Sequence, residues 1–100
     1  MAAYLVARLD VSDAAGFAAY RDAVEPIVAA HGGRYLVRGG GMEVKEGSSP
    51  TRIVIVAFPT MVAAKGFYES DAYAPALAMR LAATQGDLVL VDGVDEPEPG

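Results

Sequence analysis

The chain has 100 residues, a formal charge of -5, 53% apolar residues, a single His and no Cys. That length is one domain by the usual prior; the acidic balance, with a pI near 4.6, excludes the basic face a nucleic-acid binder needs, and the lack of Cys excludes a disulfide framework, thiolate chemistry and a Cys-based metal site. Arg and Asp interrupt every apolar block, so no membrane span is expected; the N-terminus has no basic region ahead of an apolar core, so no secretion signal is expected and the cytoplasm is the default location.

Residues Ala3 to Leu9 read as a first strand, with Tyr4, Val6 and Arg8 on one face and Leu5, Ala7 and Leu9 on the other. Ser12 or Asp13 then caps a helix running to about His31. Phe17, Tyr20, Val24, Ile27, Val28 and His31 recur at helical spacing as its inward stripe, with Arg21, Asp22 and Glu25 off it or on its edge. Pro26 lacks the donor for the carbonyl of Asp22 and predicts a kink or break. Gly32-Gly33 supplies the positive-φ stop.

A second strand spans Arg34 to Arg38; Gly39-Gly40-Gly41 bends it, and Met42 to Lys45 is read as continuing the pairing. Glu46 to Pro50 is turn chemistry. The stretch Thr51 to Phe58 is rich in β-branched residues and apolar on both sides, Ile53, Ile55 and Ala57 against Val54, Val56 and Phe58. Thr60 caps a helical region that Ser70-Asp71 and Pro75 divide into two pieces meeting near Glu69 to Tyr73. In the second piece Tyr73, Leu77, Arg80, Leu81 and Thr84 share a side, and Gln85-Gly86 ends it. Asp87 to Val91 is the last strand, and Asp95 to Gly100 an acidic, frayed tail, leaving 1–94 as a single domain.

The order β-α-β-β-α-β is the ferredoxin-like α+β pattern, an antiparallel sheet with its first and third strands in the middle. Those two strands carry apolar residues on both faces, whereas the helices cover only one. The other face would hold Val54, Val56 and Phe58 or the opposite set. Each such side chain gains roughly 1.5–3 kcal/mol on burial, so a homodimer pairing sheet against sheet is expected.

The motifs carry a resemblance as well. Tyr20-Arg21 followed by Pro26, the run His31-Gly32-Gly33-Arg34-Tyr35-Leu36-Val37-Arg38-Gly39-Gly40, then Glu46-Gly47, Arg52, Phe58-Pro59, Ala63-Ala64, Phe67-Tyr68-Glu69-Ser70, Tyr73 and Arg80 together resemble the domain of unknown function family 1330, over Tyr4 to Gly93. The resemblance implies dimeric α/β-barrel proteins, ferredoxin-like subunits whose sheets pair into a barrel, and it implies no established activity. Two departures, Phe67 where the family commonly has Trp and Asp71 where Pro often follows the Ser, sit near the second helix junction.

Candidate chemistry centres on arginines and tyrosines. Arg8, Arg38 and Arg52 lie on strands and Arg80 beside an apolar helix line, so each needs a partner, and Asp10, Glu43, Glu46 and Glu69 are available. They form either structural ion pairs or an anion clamp led by Arg38 and Arg80. Tyr20, Tyr68 and Tyr73 either fill the core or offer hydroxyls to a pocket. His31, at a helix end, is a helix-end residue or a weak general base. Ser70 lacks a nucleophile frame and reads as a cap; the triple Gly lacks a phosphate-loop ending; and the acidic tail lacks a calcium-loop spacing. No metal and no cofactor is expected: haem would want a well-placed His in the pocket, and His31 is poorly placed for that.

Three functions compete. The first is a cytoplasmic homodimer binding a small organic ligand, anionic or aromatic, between sheet and helices. The second is a small enzyme, a cofactor-independent monooxygenase or isomerase, by analogy with similar barrels. The third is an interaction module with a filled interior. A cavity lined by Arg, Tyr and His separates the first two from the third.

Overall fold

The computed structural model describes residues 1–94; the acidic tail read at Asp95 to Gly100 lies outside the described residues. The order is β1 (Ala3–Val11), α1 (Ala14–Ala30), β2 (Arg34–Arg38), β3 (Arg52–Phe58), α2 (Met61–Tyr68), α3 (Ala74–Ala83) and β4 (Thr84–Asp92). The strands form one antiparallel sheet in the order β2-β3-β1-β4, the ferredoxin-like arrangement. The two strands with two apolar faces, β1 and β3, are therefore its centre.

Register decides which residues the helices cover. Ala3, Leu5 and Ala7 stand opposite Phe58, Val56 and Val54, so these share the helix side, and Ala3, Leu5, Ala7, Leu9, Val56 and Phe58 are all buried there. The opposite set takes the open face. Val37, Ile55, Val6 and Val89 line up as a row across all four strands.

Helix α1 starts where the Asp13 carboxylate accepts from the Gly16 N–H, 3.0 Å, filling an orphan donor of the first turn. It ends where Gly32, at φ 77, lets the amides of Gly32 and Gly33 reach back to the carbonyls of Ala29 and Val28, a Schellman arrangement. Pro26 does not break it: α1 is one helix of 17 residues. Pro26 and Asp22 are both exposed, so water can satisfy the carbonyl that proline leaves free.

Other expectations are corrected. Met42 to Lys45 lie in no strand; β2 pairing ends at Arg38 opposite Val54, followed by one bond from the Gly39 amide to the Ile53 carbonyl, because Gly39, at φ 69, turns the chain out of the ladder. The stretch Gln85-Gly86 is strand rather than turn; β4 begins at Thr84, directly after α3. Leu81 is exposed, and the buried side of α3 is Ala76, Arg80 and Ala83. The two-piece helical region does occur: the Ser70 hydroxyl donates to the Phe67 carbonyl and accepts from the Tyr73 amide, tying the end of α2 to the start of α3.

Candidate functional site

A narrow cavity of about 40 Å³ lies between the helix-covered face of the sheet and the helices. Leu5, Ala7, Val54, Val56 and Leu88 form its sheet wall, with Phe17, Tyr20, Val24 and Val28 of α1 opposite. These walls follow from the alternation of β1 and β3 and the inward stripe of α1. Four arginines also line the cavity, Arg21, Arg38, Arg52 and Arg80. No Asp or Glu lines the cavity among the described residues. A wider hollow of about 400 Å³ beside Arg8 and the exposed 42–50 loop is broad and solvent-facing, without the enclosure that small-ligand sites need.

Arg80 is 5% exposed and projects from α3. Its Nε donates to the Tyr73 hydroxyl at 3.4 Å, and that hydroxyl lies 3.1 Å from the hydroxyl of Tyr20. No carboxylate pairs with Arg80 among the described residues. A buried charge without a counter-charge is costly, so the cavity holds an unmet demand for an anion. Tyr73 is fully buried behind the wall, its ring packed between Phe67 at 4.5 Å and Tyr68 at 5.6 Å. When Tyr73 donates to Tyr20, the Tyr20 proton is free for a ligand oxygen. Burial, reinforced by Tyr73, pushes the Tyr20 phenol well above its usual range, so it keeps its proton and is a donor, not a base.

The other three arginines gather at the open end. Arg52 has its guanidinium 5.1 Å from the Phe17 ring centroid, and that of Arg21 lies 5.9 Å from the same ring. Arg38 lies 4.3 Å from the Tyr35 ring and holds Glu25 at 3.0 Å. The Arg52 Nη2 donates to the Arg38 carbonyl at 3.3 Å, while its Nε is buried without a partner. Burial, then the nearby charges of Arg21 and Arg38, lowers the affinity of Arg52 for its own proton.

Of the residues singled out from the sequence, Arg38, Arg80 and Tyr20 meet at this cavity, and Tyr73 stands directly behind. Tyr68 packs on Tyr73 away from the cavity wall. His31 closes α1, its Nδ1 2.9 Å from the Ile27 carbonyl and its ring 5.9 Å from Phe67, also away from the cavity. The acids expected to pair with the arginines do not: Asp10 accepts from the Thr51 amide and hydroxyl, Glu43 pairs with Lys45, and Arg38 takes Glu25 instead. Arg21 was the lining residue hardest to foresee, since its position off the apolar stripe reads as solvent-facing. Among the described residues no cluster of His, Asp or Glu could hold a metal ion, and no helix is long and apolar enough to cross a membrane.

The chain belongs to the family described as Domain of unknown function (DUF1330), whose model matches residues 2–94. No curated protein matches it. Among solved structures it is similar to RPA0582, a protein of unknown function from Rhodopseudomonas palustris, with 16% identity, a TM-score of 0.79, and coverage of 95% of this chain and 84% of that one. It is similar to SnoaB, a cofactor-independent oxygenase from Streptomyces nogalater, with 14% identity, a TM-score of 0.69, and coverage of 99% and 98%. Rv0793 from Mycobacterium tuberculosis gives 13% identity, a TM-score of 0.58, and coverage of 96% and 98%. At these identities the likeness is one of fold.

Proposed function

We propose that the protein is a cytoplasmic homodimer that binds a small organic acid in the cavity between sheet and helices of each subunit. One observation supports this reading: a chain of net charge -5 places four arginines and, among the described residues, no carboxylate along one apolar cavity. The apolar walls suit a hydrocarbon body. Arg80, steadied by Tyr73, supplies the counter-charge for the acid, and Tyr20 supplies a neutral donor. Arg38 stands at the entrance. A charge-assisted bond of this kind is worth about 1.5–3 kcal/mol.

The test is calorimetric titration with propionate and butyrate against their neutral amides. The acids are expected to bind at least about tenfold more tightly, and Arg80→Met to abolish that preference. The same substitution is expected to keep or raise the melting temperature of the free protein, because replacing a buried unpaired charge by an apolar group of similar volume is neutral or stabilising. Equal affinity for acid and amide, or no binding of either at millimolar concentration, would refute the reading.

A second reading, a cofactor-independent oxygenase, draws on the fold likeness to SnoaB and on the capacity of Arg80 to hold an enolate or phenolate. It ranks lower because, among the described residues, no imidazole or carboxylate lines the cavity to accept a proton.

A further inference from the structure

Resting on the reading of the cavity as an organic-acid site, we propose that its ligand is two-headed: a dicarboxylic acid with a short aliphatic spacer, one carboxylate met by Arg80 and the other by Arg21 and Arg52 with Arg38.

The arginines fall into two groups by what they touch. Arg80 belongs to a hydroxyl chain through Tyr73 to Tyr20. Arg21 and Arg52 share the ring of Phe17, and Arg52 is tied to Arg38 through the Arg38 carbonyl. Ala7, Val54 and Leu88, adjacent across the sheet, and Val24 on α1 line the same cavity and offer a spacer only hydrocarbon.

The mouth group is built, not incidental. The Arg52 guanidinium lies against Gly39 so closely that a Cβ there would sit 2.4 Å from its Cζ and its Nη1. The Phe17 ring and the Arg38 carbonyl hold it in place, with Nε buried and unpartnered. Three like charges in one corner repel. The one carboxylate at hand, Glu25, binds Arg38 alone and is exposed. Arg21 and Arg52 have no ion-pair partner among the described residues. One anion at Arg80 would leave that repulsion in place; a second, on the same molecule, relieves it. The cavity's volume, about 40 Å³, is below the roughly 150 Å³ that admits a benzene ring, so the spacer is a short aliphatic one.

The experiment compares succinate with succinamate, two ligands of one shape that differ by one charge, titrated calorimetrically into the full-length protein at fixed ionic strength. Succinate is expected to bind roughly 10- to 100-fold more tightly than the half-amide. Arg52→Met is expected to bring that ratio toward one, while Arg80→Met weakens both ligands. If Arg52→Met does not fold, Arg21→Gln, at an exposed position on α1, reads the same ratio. Equal affinity of the diacid and half-amide for the wild type, or a ratio that survives both mouth substitutions, overturns the two-headed ligand and leaves the organic-acid site standing. Failure of both succinate and half-amide to bind, with propionate bound, also overturns it. Failure of every acid overturns the underlying site as well.

Discussion

On the proposed reading, Glu25 is the residue that would compete with an acid at the cavity mouth. Its Oε2 accepts from Arg38 Nη2 at 3.0 Å, and that hydrogen bond, then the charge of Arg38, holds its carboxyl below the usual carboxylate range. A depressed folded pKa means the pair is complete at neutral pH and is lost only as the pH falls through that lowered value. Glu25→Gln should therefore strengthen acid binding at neutral pH, by roughly two- to fivefold, the range for an exposed pair. With methanesulfonate, which stays ionised in acid, wild type and variant should converge as the pH drops below the pKa of Glu25; a titration showing no difference at neutral pH would remove the competition. Part of this site was readable from the chain. Arg80 sits two turns after Tyr73 on an apolar helix line, and a charge there asks for a partner. Arg21 was not readable, because its place beside the cavity comes from where α1 crosses the sheet. His31 and Tyr68 were misleading for the opposite reason: a long inward stripe has ends as well as a middle, and both lie where the packing is against other rings.

At the scale of elements, the end of β2 is where sequence and site meet. The three consecutive glycines read simply as a bend, yet they are not equivalent. Gly39 has a φ of 69 and lies under Arg52, whereas a Cβ on Gly40 or Gly41 meets nothing within 4 Å. Gly39→Ala should destabilise the fold by about 1–2 kcal/mol through backbone strain, and should displace the Arg52 guanidinium, weakening diacids along with it. Gly40→Ala and Gly41→Ala should stay within about 0.5 kcal/mol. Urea unfolding of the three variants checks this, and equal midpoints would show that Gly39 has no special place. Strand alternation, the cap at Asp13 and the stop at Gly32 made most elements legible, since each rests on neighbours in the chain. The joint from α3 to β4 did not. Gly86 reads as a turn, but in the sheet it stands opposite Leu9 at φ 142, where a Cβ would collide with the Arg8 carbonyl. The requirement comes from a strand far away in sequence.

For the whole molecule, the open face of the sheet is the unfinished surface. Its central row, Val37, Ile55, Val6 and Val89, is aliphatic from edge to edge, and Val89 and Val91 remain 53% and 47% exposed. The rows on either side include Arg8 and Asp87 at one end and Arg34 and Tyr4 at the other, so the apolar band has a polar rim. A two-fold axis through that band would lay each row on its copy and bury it twice over. A stable interface needs about 800 Å² from each partner, a modest share of the 6258 Å² surface of the chain. Sedimentation at micromolar concentration should then give twice the chain mass of 10.4 kDa. Val89→Glu should give a folded monomer: the position is already half exposed, so the subunit tolerates the charge, while a dimer would have to bury it beside its symmetry mate. A wild type that sediments as a single chain would sink the pairing, and it would leave the cavity, which is enclosed by the helices on the opposite side of the sheet, untouched.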